Sequence, residues 1–227
     1  MIDWGPIFLT LKLALITTVI LMVISFPLAK WMATTKSSLK PIIKTLVTMP
    51  LVLPPTVLGF YLLVVFSPNK FIGNWLEEWF GLRLIFSFEG LVFASIIYSL
   101  PFMVQPIYAG LTNLPKNLTE ASYVLGKSKF TTLIKVVLPN ISSSILTGVV
   151  LCFAHTMGEF GVVLMIGGNI PNKTRVASIA IYDEVESLNY ASANLYSIIL
   201  IGIAFIILLS VNLFNGGYLS KFLSDRT

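Results

Sequence analysis

The most restrictive feature of this chain is the spacing of its charges. Between Lys44 and Lys70 lie 25 consecutive uncharged residues, and the intervals after Lys12, Glu89, Lys135 and Glu186 leave 17, 26, 23 and 34. A helix that crosses a bilayer needs roughly 20 mainly apolar residues. The intervals therefore predict five membrane helices, at about 7–29, 43–66, 88–110, 138–165 and 193–215. Charged residues make up 11% of the 227, against about 25% in soluble domains, too few to coat a water-facing surface. The 16 Phe, 8 Tyr and 4 Trp exclude a solvated coil. The expected fold class is an all-α membrane protein, a single transmembrane domain over 1–227.

The first interval is short, but Lys12 can snorkel outward from its helix. A cleaved signal peptide is the weaker reading, because the apolar run is long and Lys30 occupies the region where cleavage is expected. The formal charge of +5 does not point to nucleic acid, since in a membrane chain the position of the cations matters more than their sum. One side collects Lys30, Lys36, Lys40, Lys44, Lys116, Lys127, Lys129, Lys135, Lys221 and Arg226; the other has Lys12, Lys70, Arg83, Lys173 and Arg175. The positive-inside rule puts the first set in the cytoplasm, the N-terminus outside and the C-terminus inside. A single Cys152 excludes a disulfide framework and a cysteine metal cluster.

Two helices carry unusual chemistry. Helix 43–66 contains Pro50, Pro54 and Pro55 beside Thr48 and Thr56. Each proline removes a donor and frees a carbonyl one turn back, which lipid tolerates only where protein or a water-filled path satisfies the freed group. This helix is expected inside the bundle or along a pathway, and 88–110 repeats the theme with Pro101, Gln105 and Pro106. In helix 138–165, His155-Thr156-Met157-Gly158-Glu159-Phe160-Gly161 places an acid in an apolar stretch. Intramembrane acids are costly and commonly functional; the alternative is an acid solvated at the outer interface. His155, one turn earlier, reads as a hydrogen-bonded helix contact.

Segment 67–87 has the aromatic and acidic spacing of an interfacial anchor, and 168–192 that of an ordered outer loop or lid. No chain of titratable groups crosses the bilayer, so the driving chemistry is expected from elsewhere. Ala121 to Ser128 ends in Gly-Lys-Ser, but lacks the first glycine and the preceding strand of a phosphate-binding loop. His-Glu-x-x-His and Gly-x-Ser-x-Gly are absent, so no catalytic or metal centre is expected.

The basic loop 111–137 reads as two short helices. Glu120-Ala121-Ser122 lies on a helix-forming stretch, Gly126 permits a turn, and Leu138-Pro139 favours a new start at the membrane. Such a knob suits docking into a groove on a partner. Here the chain resembles the coupling motif of bacterial ATP-binding-cassette importer permeases: Glu120, Ala121, Gly126, Leu138 and Pro139 match at the family spacing. Ser122 stands for a second Ala and Val136 for Ile. Pro50-Leu51-Val52-Leu53-Pro54-Pro55, Gly158-Glu159-Phe160-Gly161 and Gly168-Asn169-Ile170-Pro171, followed by Thr174 and Ile181-Tyr182, are similar to the molybdate/tungstate permease family.

The resemblance implies a non-enzymatic transport subunit in the bacterial cytoplasmic membrane. It implies a second copy of the chain, two cytoplasmic ATPase subunits that hold ATP and Mg, and an extracytoplasmic oxyanion-binding protein. Coupling would fall to Glu120, Ala121, Ser122, Gly126, Leu138 and Pro139, and the gate or pathway to Pro50, Pro54, Pro55, Thr56, Glu159, Phe160 and Gly161. Sulfate/thiosulfate permeases share part of this pattern. An ion-driven carrier or channel, or a membrane scaffold, is the alternative of another class.

Overall fold

Proline and glycine placement divides the apolar runs into more pieces than hydropathy alone suggests. The computed structural model describes residues 3–215, and every regular element among them is helical. In chain order these are α1 (Gly5–Thr34), α2 (Lys40–Leu51, ending in a 3-10 turn), α3 (Pro55–Val65), α4 (Phe71–Phe80), α5 (Phe88–Asn113) and α6 (Lys116–Val124). There follow α7 (Lys129–Asn140), α8 (Ser142–Gly158), α9 (Gly161–Gly167), α10 (Ala177–Glu186) and α11 (Tyr190–Asn215). Lys221 and Arg226 lie outside the described residues.

Three helices, α1, α5 and α11, are long and apolar enough to cross a membrane unbroken. The second and fourth expected helices are not continuous. Residues 43–66 divide into α2 and α3, bent by 110°. Leu53 and Pro54 each precede a proline and are therefore pushed out of the helical region; Pro55, which needs no N–H donor in the first turn, opens α3. The stretch 138–165 divides at Glu159, the extended residue that ends α8, and α9 restarts at Gly161. Pro101 and Pro106, by contrast, leave α5 unbroken.

A second correction concerns Leu138 and Pro139. They do not start a membrane helix but continue α7 through a wide turn at Leu133–Val137, where the Leu138 N–H reaches the Leu133 carbonyl. That wider register accommodates the donor missing at Pro139. The helix restarts only at Ser142, after a bend of 68° between α7 and α8.

The bundle is built on α1 and α5, which pack along each other, with α8 against both. Leu21, Ala29, Met103, Val104, Ile107 and Cys152 form the core of one half. Leu13, Leu91, Ala94, Val162, Val163 and Ile166 form that of the other, where α9 and α3 join. α1 is thus an integral part of the core. The segment 67–87 forms the amphipathic α4, with Phe71 and Trp79 exposed. In 168–192, the Asp183 carboxylate accepts from Asn169 and pairs with Arg175 at 3.2 Å, tying the turn to α10.

Candidate functional site

The two helix breaks meet. A Cβ on Gly161 would lie 2.8 Å from the Pro55 Cβ, and one on Gly59 would lie 2.7 Å from Met165 Cβ and 3.1 Å from Val162 Cα. Absent side chains at these positions let α3 and α9 approach backbone to backbone. The chain leaves the helix on either side of this contact, at 52–54 and at 159–160. Between the breaks lies an open-sided cleft of about 520 Å³, walled by Pro55, Thr56, Tyr98, His155, Glu159 and Phe160. Gly161 lines it too, so five of the expected pathway residues gather there. Pro54 caps α3 from the preceding turn, and Pro50 is buried in a turn that packs against α5 instead.

Glu159 is not solvated at an interface. It is 5% exposed, and its Oε2 accepts a hydrogen bond from Ser95 Oγ at 3.1 Å while Oε1 has no partner. The Glu159 carbonyl accepts from Ser178 Oγ, which holds α10 against the break. One turn below, Ser99 Oγ bonds His155 Nδ1 at 3.0 Å and Thr156 Oγ1 at 2.9 Å. The His155 ring stacks on Phe102 at 3.9 Å. Ser95 and Ser99 are one turn apart on α5, as His155 and Glu159 are at the end of α8, and the helices run antiparallel. Each polar residue of one helix therefore meets one of the other in register.

Ser95, Ser178 and Tyr98 belong to this site and were not among the expected residues. The sequence signal available for Ser95 was its four-residue spacing from Ser99, matching His155 and Glu159. Thr48 and Gln105 lie elsewhere: Thr48 donates back to the Lys44 carbonyl, and Gln105 lines a smaller cleft of about 330 Å³ with Leu51 and Pro101.

At the lysine-rich end, α6 and the start of α7 form a protruding knob. Gly126 sits at φ +71° with no atom within 4 Å of a would-be Cβ, so backbone freedom, not space, is what that turn needs. Ser122 Oγ and Thr132 Oγ1 bond at 2.8 Å in a buried contact that pins α6 to α7. Ser128 caps α7 by accepting from the Thr131 N–H. Glu120 and Ala121 are exposed beside an apolar display in which Val124 is 87%, Leu125 74% and Phe130 70% exposed. An apolar group of this size in the open is the mark of an interaction surface.

A helical bundle whose broken spans meet at a cleft, with an exposed helical knob at its basic end, has the architecture of a membrane permease. Solved structures carry the same fold: a bacterial ATP-binding-cassette transporter involved in import of the polysaccharide alginate superposes with a TM-score of 0.77 at 18% identity, over 93% of this chain and 78% of that one. The chain belongs to the family of binding-protein-dependent transport system inner membrane components, whose model matches residues 23–219. It is accordingly an inner-membrane transport component and not an enzyme.

Among curated relatives, the molybdenum transport system permease protein ModB of Azotobacter vinelandii is 49% identical over 193 residues, 85% of each chain. A probable sulfate transport system permease protein of Chlorella vulgaris is 36% identical over 169 residues, 74% of this chain and 63% of that protein.

Proposed function

We propose that this chain is the permease subunit of an ATP-driven importer of molybdate or tungstate, working as a pair of identical copies on two ATPase subunits. ATP and Mg belong to the ATPases. The identity to the molybdenum permease, spread over 85% of both chains, carries the solute assignment; the lower identity to the sulfate permease makes sulfate the second choice. The basic end, with Lys30, Lys36, Lys116 and Lys129, faces the cytoplasm, which puts the N-terminus and α4 outside.

The geometry supports a mechanical route from knob to cleft. α8 joins α7 through the 68° bend and ends at Glu159. Its 17 residues span about 25 Å. A rigid rod of that length transmits a displacement of α6 and α7 to the break where α9 meets α3. ATP binding then favours one of two packings by its differential affinity for them. Glu120, Ala121, Ser122 and Gly126 form the gripped surface, while Leu138 and Pro139 stiffen the link to α8.

The cleft handles an oxyanion loosely. The N-terminal end of α3 opens on it, which favours an anion, and Thr56 and Tyr98 offer hydroxyls. No lysine or arginine among the described residues lines the cleft, so an anion there meets no fixed positive side chain to hold it tightly. A weak site lets the ion leave, as conduction requires, and selectivity then falls to the external binding protein. Thr56 and the open side of the cleft complete a pathway only when a second copy faces them.

The test is reconstitution of the permease with its ATPase and binding protein in vesicles. Molybdate and tungstate are expected to stimulate ATP hydrolysis more than sulfate does. Stimulation by sulfate alone would reassign the solute, and uptake without ATP or the ATPase would replace the whole reading with an ion-driven carrier.

A further inference from the structure

The mechanism above leaves one large cavity unused. At the basic end, the last turns of α1 and the starts of α6 and α7 enclose about 600 Å³. Four lysines, all exposed, are among its lining: Lys30 on α1, Lys36 in the turn after it, Lys116 opening α6 and Lys129 opening α7. The rest of its lining mixes hydroxyls, Thr34, Thr119 and Tyr123 among them, with the apolar Leu111, Leu114 and Leu133.

The charge balance of this cavity is one-sided. No carboxylate lines it, and among the described residues none of the four ammonium groups forms an ion pair. Glu120, one turn along α6 from Lys116, lies outside the lining. Lys116 and Lys129 also sit at helix N-termini, where the macrodipole already favours negative charge and disfavours a cation. Retention of positive charge on one membrane face accounts for lysines around this end. It does not account for four lysines lining one cavity with no carboxylate among them, or for two of the four standing at helix N-termini.

We infer that this cavity binds a tetrahedral oxyanion group, with a phospholipid head group as its source, the phosphate held by the lysines and hydroxyls and the glycerol and upper acyl carbons lying against Leu111, Leu114 and Leu133. The site bridges α1, a fixed part of the bundle, and the knob, so a bound head group restrains the knob relative to the bundle. The inference rests on the membrane assignment and is independent of which solute is carried.

Native mass spectrometry of the full-length permease in neutral detergent tests it, with phosphatidylglycerol, phosphatidylcholine of the same chains, and inorganic phosphate as probes. Phosphatidylglycerol is expected to be retained in preference to phosphatidylcholine. The double variant Lys30→Gln/Lys116→Gln lowers that retention by about thirty-fold, from the attraction each lysine contributes near an anionic lipid. Lys30→Arg/Lys116→Arg preserves it, and Lys70→Gln, at the opposite end, leaves it unchanged. Displacement of the lipid by inorganic phosphate would keep the oxyanion site but make free phosphate the source; failure to displace it supports the lipid.

Equal retention in the double glutamine variant, or equal loss in Lys70→Gln, overturns the inference. So does release of the lipid when the ATPase docks, which would give the cavity to the protein interface. If the double variant does not yield a monodisperse protein, Lys30→Gln and Lys129→Gln singly carry the same test, each with roughly a five-fold loss expected.

Discussion

Glycine does opposite work at the two ends of this molecule. At the cleft, Gly59 and Gly161 are glycine because a Cβ would collide with Met165 and Pro55. On the knob, Gly126 is glycine because its backbone turns left-handed in open space. The first pair is dictated by what the chain packs against, the second by how it must bend where it packs against nothing of its own. The same contrast runs through the other residues: Glu159 is buried and bonded to Ser95, whereas Glu120 and its apolar neighbours stand exposed. A region finished by its own fold shows its function through internal contacts; one left unfinished shows it through what is exposed.

Substitutions can break or sharpen that contrast. The largest effect is expected from Glu159→Lys, which forces a cation into a buried position where no other acid among the described residues lines the cleft, at a cost of roughly 3 kcal/mol. Thermal unfolding of the purified permease should fall and uptake should vanish; an unchanged midpoint would show that the site is open to water. Gly59→Val should cost about 2 kcal/mol by overpacking α3 against α9, measured in the same way, and a wild-type midpoint would mean that the two helices separate easily.

Gly126→Val should strain the knob by about 1–2 kcal/mol, a local cost that barely moves global unfolding. It is expected to suppress the stimulation of ATP hydrolysis by the binding protein. The smallest effect on stability belongs to Glu120→Lys, near zero because the side chain is exposed and outside any ion pair among the described residues. Its functional effect should nonetheless be a loss of coupling of at least about tenfold, equivalent to roughly 1.4 kcal/mol of docking energy. If both knob variants transport normally, the knob is not the handle.

Much of this arrangement was legible beforehand, and unevenly so. Pro54 and Pro55 mark the break in the second apolar run, because a proline acts on its own backbone and on the residue before it. Gly126 marks the knob's turn for a similarly local reason. Pro101 and Pro106 carry the same signal yet α5 stays whole, since packing along α1 and α8 outweighs two lost hydrogen bonds. The break at Glu159 was missed altogether: no proline announces it, and the helix ends where Ser178 takes the Glu159 carbonyl and Gly161 meets Pro55. Pro139 pointed to a helix start that instead falls at Ser142, because the wide turn before it absorbs the missing donor.

Hydropathy, charge placement and proline chemistry determined by themselves that this is a helical membrane protein, which end is basic, and where an exposed knob would be found. These depend on single residues and on their exchange with lipid or water. Only the tertiary structure decided that Glu159 is buried, that Ser95 is its donor, and that the two helix breaks share one cleft. Those facts depend on the register between helices some sixty to a hundred residues apart, which is set by packing of the whole bundle and leaves no mark on any one segment.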